Sequence, residues 1–185
     1  MNETKISAIF DAPEDYVRRF SDALIWGESA HDGQFRKYTG EDYFSHPVAV
    51  ADLVEEYMDK VGGFSEEEIL TAMTVALLHD TVEDTDVTIE DIVTRFGDEV
   101  AKGVWYLTKT PNFVGNRKQR KVLCELRLSA APKWVKIIKM MDMSHNEQSI
   151  GMYDKSFHKV FLDETESLLA AMGMTEEGHQ IGLAG

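Results

Sequence analysis

Apolar residues recur in steps of three and four along most of the chain, with polar residues between them. This spacing places apolar side chains on one face of an α-helix, and no segment shows the alternation typical of a half-buried β-strand. The stripes contain Tyr16, Val17, Phe20, Leu24 and Ile25; Val50, Val54, Tyr57, Met58 and Val61; Ile69, Met73 and Ala76; Ile89, Ile92, Val93 and Phe96; Val100, Val104 and Leu107; Val135 and Ile138; and Phe157, Val160, Phe161, Leu168, Leu169 and Met172. The pattern predicts an all-α helical bundle.

Capping and chain-breaking residues mark the helix boundaries. Ser65-Glu66-Glu67-Glu68 has the form of a capping box and predicts a helix start, while Gly62-Gly63 ends the preceding helix. With 185 residues, 43% of them hydrophobic, the chain can form one core and is short for two. We expect a single domain over residues 1–185, comprising a motif-bearing core over 16–150, a C-terminal helix over 153–173 and a loose tail over 174–185.

Acidic residues follow directly after one of these apolar stripes. The helical spacing of Met73 and Ala76 continues to Asp80, and Glu83 and Asp84 come three and four residues later, with His79 beside them. If the helix continues for one turn, three carboxylates share one patch, and a divalent cation would relieve their repulsion. The alternative interpretation is a solvated acidic loop after the end of the helix.

Two other helices carry an ionisable residue where the stripe predicts a core position. His46 lies four residues before Val50, and the spacing of Val135 and Ile138 leads to Asp142. Burying an unpaired carboxylate is unfavourable, since even a polar group without a hydrogen bond costs roughly 2 to 7 kcal/mol. His46 alone could equally be a core histidine that is hydrogen-bonded to the backbone.

The ionisable residues that continue the apolar stripes of these three helices provide two imidazoles and two carboxylates. The candidate ligands are His46, His79, Asp80 and Asp142. A mixed set of nitrogen and oxygen ligands suits Mn²⁺, Fe²⁺ or Zn²⁺ and leaves coordination positions for water. The combination therefore predicts a metal site more strongly than any one residue does.

Two further polar segments compete for a functional role. His31-Asp32 is a second His-Asp pair, but Gly33 follows and no acid comes three or four residues later, which favours a capping or solvated role. Arg117-Lys118-Gln119-Arg120-Lys121 is the densest basic run. A solvated helix face is the favoured interpretation of this run, and a cationic wall for phosphates is the alternative.

The charge of the chain limits its partners. A formal net charge of −14 argues against nucleic-acid backbone binding, whereas a small anion remains compatible because a metal and a few local cations can reverse the potential in a pocket. Residues 1–5 show no basic leader followed by an apolar stretch, and no run is long enough to span a membrane. A single cysteine, Cys124, fits a reducing compartment, so we expect a cytoplasmic protein.

Three segments, in order, resemble the HD-domain hydrolases of the RelA/SpoT homologue family, and most closely the small stand-alone alarmone hydrolases. Residues 43–51 resemble the family's Tyr-x-x-His-Pro-x-x-Val-Ala segment, and residues 76–85 match Leu-Leu-His-Asp-x-x-Glu-Asp-Thr. Residues 135–146 resemble the Val-Lys-Leu-Ala-Asp-x-x-x-Asn helix. The resemblance covers most of residues 16–150.

The resemblance implies hydrolysis of the 3′-diphosphate of ppGpp or pppGpp to pyrophosphate and GDP or GTP, with one Mn²⁺ and without synthesis of the alarmone. By position it implies a metal on His46, His79, Asp80 and Asp142, a catalytic pair in Glu83 and Asp84, and nucleotide contacts from Asn146, Arg36 and Lys37. These roles agree with general chemistry, because a bound cation lowers the pKa of its water and nearby acids can move the proton.

The chain departs from the family pattern at two positions near the nucleotide. Gln148 stands where large members have Arg, and Glu41-Asp42-Tyr43 replaces a turn that resembles Glu-Pro-Tyr. Two alternative functions stay open from the sequence. One is an HD phosphohydrolase for another nucleotide, such as NADPH 2′-phosphate or a nucleoside phosphate, and the other is a catalytically silent nucleotide-binding module.

Overall fold

The computed structural model describes residues 14–183 and folds this part of the chain into α-helices without a β-sheet. In chain order the helices are α1 (Glu14–Ala30), α2 (Ser45–Val61), α3 (Glu66–Leu78), α4 (Thr81–Asp84), α5 (Ile89–Phe96), α6 (Asp98–Leu107), α7 (Arg117–Ser129), α8 (Lys133–Tyr153), α9 (Lys155–Met172) and α10 (Thr175–Gln180). The predicted all-α class is confirmed. None of these helices is long and apolar enough to cross a membrane.

Helix α3 lies at the centre of the bundle. Every residue from Leu70 to Leu78 is buried, and α3 packs against α1, α2, α6 and α8. A helix that is apolar on all sides requires such enclosure. Because α2 and α8 also pack against each other, the three helices that carry the candidate ligands meet in one place.

The start of α3 is fixed by the predicted capping box. The Ser65 hydroxyl accepts a hydrogen bond from the Glu68 amide at 3.2 Å, and the Glu68 carboxylate accepts one from the Ser65 amide at 2.9 Å. These bonds satisfy two amides that a helix N-terminus would otherwise leave unpaired. The helix ends at Leu78 rather than continuing through Asp80.

Helix α1 differs from its predicted stripe at one position. Ile25, expected in the core, is 68% exposed, whereas Ala23 and Gly27 are buried. A Cβ atom on Gly27 would lie 2.6 Å from the Phe44 ring and 3.2 Å from the Leu77 carbonyl oxygen, so glycine permits close packing of α1 on α3. The sequence also predicts the start of this helix at Pro13, since proline is favoured in a first helical turn, but Pro13 lies outside the described residues.

The tail that the sequence predicts to be loose is ordered up to residue 183. Helix α10 occupies much of it, and Met174 and Leu183 are buried with only 3% and 2% of their surface exposed. The prediction of a loose tail from residue 174 is therefore wrong over this range. The short polar helix attaches to the core through these flanking apolar side chains. The hydrophilic composition of the tail gave no sign of this attachment.

Candidate metal centre

Four side chains from three separate parts of the chain converge beside the end of α3. His46 is the second residue of α2, His79 and Asp80 connect α3 to α4, and Asp142 lies in the middle of α8. His46 Nε2 is 3.1 Å from Asp142 Oδ1, and His79 Nε2 is 3.1 Å from Asp80 Oδ2. The cross distances, His46 to Asp80 and His79 to Asp142, are 3.8 and 3.7 Å.

This spacing fits a small divalent cation. Ligand atoms about 2.1 Å from a cation and at right angles to each other lie about 3 Å apart. His46, His79 and Asp80 offer ligand atoms that are all within 4.8 Å of one another. His79 Nε2 is buried, faces the carboxylates and makes no hydrogen bond to any residue in 14–183, which leaves it available to a metal. The cluster therefore suits a divalent metal ion.

Hydrogen bonds to the opposite ring nitrogens orient the two imidazoles. His79 Nδ1 donates to the Ala76 carbonyl oxygen at 2.7 Å, which leaves the Nε2 lone pair directed at the cluster. His46 Nδ1 lies 2.8 Å from His145 Nδ1. If His46 donates in this pair, its Nε2 lone pair also faces the carboxylates. Such outer contacts fix the tautomer of a ligating histidine.

Asp142 is held by three partners. Its Oδ2 accepts from Lys139 Nζ at 2.7 Å, and its Oδ1 accepts from Asn146 Nδ2 at 2.7 Å, in addition to the contact with His46. Burial alone would raise the pKa of Asp142, but the Lys139 ammonium and the two imidazoles hold this pKa well below its usual value. The carboxylate is therefore ionised and available as a ligand.

The carboxylates of Asp80 and Asp142 favour the protonated form of the His79 imidazole. Burial opposes the charged form of this imidazole, yet the carboxylates of Asp80 and Asp142 raise the pKa of His79 well above its usual value. A positive charge is thus favoured between these groups. A bound divalent cation would supply that charge in place of the proton.

The predicted acid pair follows on a separate short helix. After the break at His79 and Asp80, the amides of Glu83 and Asp84 both donate to the Asp80 carbonyl oxygen, at 3.1 and 3.0 Å. The Tyr43 hydroxyl lies 2.7 Å from Asp80 Oδ2 and 2.9 Å from Asp84 Oδ2, so it can donate its proton to either carboxylate. Tyr43 therefore links a candidate ligand to the acid pair.

Glu83 is engaged on both carboxylate oxygens by one residue. The backbone amide of Lys109 donates to Oε1, and Lys109 Nζ donates to Oε2 at 2.7 Å. The Glu83 side chain is only 10% exposed, whereas the Lys109 side chain is 75% exposed. Asp84 Oδ1, in contrast, accepts no hydrogen bond within residues 14–183.

The two cations predicted to contact a nucleotide point in different directions. Arg36 Nη2 donates to Asn146 Oδ1 at 2.7 Å, which places both residues beside Asp142. Lys37 Nζ donates to the Tyr38 hydroxyl at 3.1 Å and is exposed. The structure therefore brings Arg36 and Asn146 to the metal centre, and no contact of a described residue brings Lys37 there.

The expected capping or solvated role of His31 is wrong. His31 is completely buried, its Nδ1 lies 2.9 Å from Gln34 Oε1, and its ring stacks on Tyr43 with centroids 4.8 Å apart. Gln34 in turn donates to the Asp84 carbonyl oxygen at 2.8 Å. This imidazole supports the residues around the metal centre without joining the four candidate ligands.

The basic run occupies the first turns of α7 and lies on an exposed surface. Arg117 pairs with Glu164 of α9 at 2.9 Å, and Arg120 donates to the carbonyl oxygens of Asn112 and Gly115. These contacts agree with the favoured interpretation of a solvated helix face.

The sequence patterns predict no role for Tyr43, Lys109, Lys139 or His145. Lys139 lies three residues before Asp142, and this spacing alone could have predicted an ion pair on one helix face. Lys109 lies 26 residues from Glu83 along the chain, so only the fold reveals their contact.

Comparison with known proteins identifies the family. A family model described as HD domain matches residues 23–122, more than half of the chain. The chain belongs to the HD domain family. The membership predicted from the three motifs is thus confirmed, and the His79-Asp80 pair lies within the matched HD domain.

Curated relatives of this HD domain are much longer proteins. The bifunctional (p)ppGpp synthase/hydrolase SpoT of Escherichia coli K12 is 30% identical over 175 residues, covering 92% of this chain and 23% of SpoT. The guanosine-3′,5′-bis(diphosphate) 3′-pyrophosphohydrolase of Aquifex aeolicus is 33% identical over 163 residues, covering 87% of this chain and 21% of the relative. The chain spans about a fifth to a quarter of the length of these relatives.

Solved structures share the fold of this HD domain over nearly their whole length. The structure of a metazoan orthologue of SpoT that hydrolyses ppGpp aligns with a TM-score of 0.70 at 22% identity, covering 89% of this chain and 96% of the orthologue. A Listeria monocytogenes protein, lmo0812, aligns with a TM-score of 0.57 at 27% identity over 78% of this chain and 96% of that protein. The fold therefore also occurs in proteins of this size.

Proposed function

We propose that this chain is a Mn²⁺-dependent hydrolase that removes the 3′-diphosphate from ppGpp or pppGpp, giving pyrophosphate and GDP or GTP. One observation carries the proposal: four candidate ligand side chains converge beside an acid pair, in an HD domain whose named relatives include 3′-pyrophosphohydrolases. A buried cluster of this kind is unfavourable without a cation. The substrate and the choice of manganese come from the relatives and the motifs.

The ligands in this proposal are His46, His79, Asp80 and Asp142. When bound, the ion lowers the pKa of its water and neutralises charge on the phosphoryl group. The hard carboxylate oxygens and the two imidazoles suit manganese, and the same set would accept iron or zinc. His145, Lys139 and Tyr43 hold these ligands in place through the hydrogen bonds described above.

Glu83 and Asp84 form the catalytic pair in this proposal. Asp84 is placed to accept a proton from the attacking water, because its Oδ1 has no donor among the described side chains while Tyr43 holds its Oδ2. Glu83 is tied to Lys109 through both oxygens, so it contributes mainly by fixing charge at the edge of the site. Both acids lie within one helical turn of Asp80.

The nucleotide lies along Arg36 and Asn146 in this proposal. Arg36 presents further guanidinium N–H donors beyond the one that binds Asn146, and these match phosphate oxygens in geometry and charge. Lys37 follows on the same loop and contacts the nucleotide from the exposed side. The partner is a small molecule, which agrees with the strongly acidic surface.

The test uses metal-stripped protein incubated with ppGpp, with and without Mn²⁺, while GDP and pyrophosphate are followed by chromatography. We expect both products only when Mn²⁺ is present, and none from Asp80→Ala. If the protein binds Mn²⁺ and leaves ppGpp intact, the alarmone assignment is wrong, and NADPH and nucleoside phosphates become the substrates to examine.

Glu83→Ala separates an enzyme from a silent binding module. An enzyme loses turnover in this variant and keeps its metal, because Glu83 is not a candidate ligand. A binding module keeps both its metal and its nucleotide affinity, and the wild-type protein then shows no turnover for the variant to lose.

A further inference from the structure

Lys109 combines a fixed position with an exposed charge. It follows α6, and its backbone amide and its Nζ both donate to Glu83, which is itself 10% exposed. Two contacts to one buried carboxylate restrain a side chain that would otherwise move freely. Nevertheless 75% of the Lys109 side-chain surface is open to solvent.

The ammonium group of Lys109 retains unused donors. An ammonium group has three N–H donors, and Glu83 is the one acceptor that Nζ contacts within residues 14–183. Two donors are therefore available for an incoming ligand. An anion that binds them would meet a cation already held in place, which lowers the entropic cost of ordering it.

The other cations near the metal centre are differently placed. Lys139 is bound to Asp142 at 2.7 Å, and its side chain is only 19% exposed. Arg36 donates to Asn146 on the α8 side of the centre. Lys109, on the α6 side, would meet a different part of a ligand from the part that Arg36 meets.

Nearby carboxylates favour the charged form of Lys109. Loss of hydration beside Glu83 opposes that charge, although most of the side chain is exposed, but the carboxylates of Glu83, Asp80 and Asp142 outweigh this effect and raise the pKa of Lys109. The ammonium is bound to Glu83, and the amide of Glu83 donates to the carbonyl oxygen of the candidate ligand Asp80 at 3.1 Å. A phosphoryl group bound by the metal would have this cation beside it.

We propose that Lys109 is a substrate-binding residue that contacts the diphosphate to be removed, and that Glu83 positions it for that contact. This inference rests on the proposed function to the extent that the substrate carries a diphosphate. A cation at this place offsets the charge that develops on the leaving pyrophosphate. It also gives Glu83 a positioning role beyond its place in the acid pair.

The test measures binding of inorganic pyrophosphate by calorimetry, with Mn²⁺ in the same excess for every variant so that chelation affects each equally. Loss of a charge-assisted hydrogen bond predicts that Lys109→Met weakens pyrophosphate affinity by about 10-fold or more, whereas Lys109→Arg stays within about 3-fold of the wild type. Lys60→Met is the matched control. Lys60 is exposed at the end of α2, about 21 Å from His46 along the helix at 1.5 Å per residue.

Two results would overturn the inference. Wild-type pyrophosphate affinity in Lys109→Met would show that the ammonium makes no contact with the ligand. A parallel loss of Mn²⁺ affinity and pyrophosphate affinity in that variant would show that Lys109 only supports the metal centre. Metal affinity, measured alone, therefore accompanies each pyrophosphate titration.

Glu83→Gln tests whether Lys109→Met lowers pyrophosphate affinity only because it changes the state of Glu83. If Lys109→Met acted only by leaving the negative charge of Glu83 unpaired, then it would cost no pyrophosphate affinity when made in the Glu83→Gln protein, which would contradict the inference. We expect that Glu83→Gln alone binds pyrophosphate at least as tightly as the wild type, because a negative charge is removed and an acceptor for Lys109 remains, and that adding Lys109→Met to it still weakens binding. If wild-type protein fails to hydrolyse ppGpp while only Lys109→Met loses pyrophosphate affinity, the proposed function is wrong and Lys109 is still a binding residue for a diphosphate group.

Discussion

The same dipeptide, His-Asp, follows the end of a helix at two places with different results. His31-Asp32 follows α1, and His79-Asp80 follows α3. Both imidazoles are buried, at 0% and 3% exposure, but Asp32 is exposed to solvent whereas Asp80 faces His79 at 3.1 Å. Burial of the imidazole alone therefore does not distinguish a candidate ligand pair from a supporting residue.

The difference lies in what each imidazole meets across the bundle. His79 Nε2 faces the carboxylates of Asp80 and Asp142, whereas the His31 ring stacks on Tyr43 and its Nδ1 pairs with Gln34. Tyr43 joins the two regions, since its hydroxyl reaches Asp80 and Asp84. His31 thus supports the residues around His79 and Asp80 through Tyr43. Substitutions can separate this supporting role from the proposed metal-binding role.

The largest effect is expected from His79→Ala. This substitution removes one of four candidate ligands and leaves the carboxylates of Asp80 and Asp142 with less compensation. We expect Mn²⁺ affinity, measured by calorimetry on the metal-free protein, to fall by more than about 100-fold, exceeding the loss that supporting residues produce. Affinity within 10-fold of the wild type would exclude His79 as a ligand.

A smaller effect is expected from Tyr43→Phe. The phenyl ring keeps its stacking on His31, while the hydroxyl bonds to Asp80 and Asp84 are lost. Loss of such an outer contact lowers metal affinity or turnover by about 10- to 100-fold. Calorimetry and the ppGpp assay measure these quantities, and unchanged values in both would show that the hydroxyl positions neither carboxylate.

His31→Ala is expected to act mainly on stability. It opens a cavity under Tyr43 and removes a partner of Gln34, so the free energy of unfolding in urea should fall by about 2 to 4 kcal/mol. Mn²⁺ affinity should change less than in Tyr43→Phe, because the hydroxyl of Tyr43 remains. Asp32→Asn is the matched control and should stay within about 0.5 kcal/mol of the wild type. A selective loss of metal affinity in His31→Ala would instead make His31 part of the metal centre.

Sequence pattern predicted the parts of the fold that depend on local spacing. The apolar stripes located most helices, and the interruptions at His46, Asp80 and Asp142 pointed to one site because each replaced a core position. The proposed roles of these residues remain predictions until metal binding is measured. Their convergence in space, however, is what the pattern indicated.

Other features depend on contacts between distant segments and were missed. His31 is buried because Tyr43 covers it, and Lys109 binds Glu83 only because the end of α6 lies beside α4. Ile25 follows Phe20 by five residues, which at 3.6 residues per turn directs it away from the face that holds Ala23 and Gly27, so it remains exposed. Spacing within one helix determines which residues share a face, whereas the packing of neighbouring helices determines how wide the buried face is.

The central position of α3 has a consequence for the dynamics of the protein. Amides in a fully enclosed helix exchange their hydrogens with solvent mainly when the whole domain opens. His79 and Asp80 directly follow this helix, so an ion bound there would stabilise a segment that we expect to exchange slowly. At a free concentration 100 times its dissociation constant, the ion would add about 2.7 kcal/mol to global stability. Hydrogen exchange along Leu70–Leu78 would then report metal occupancy from within the core.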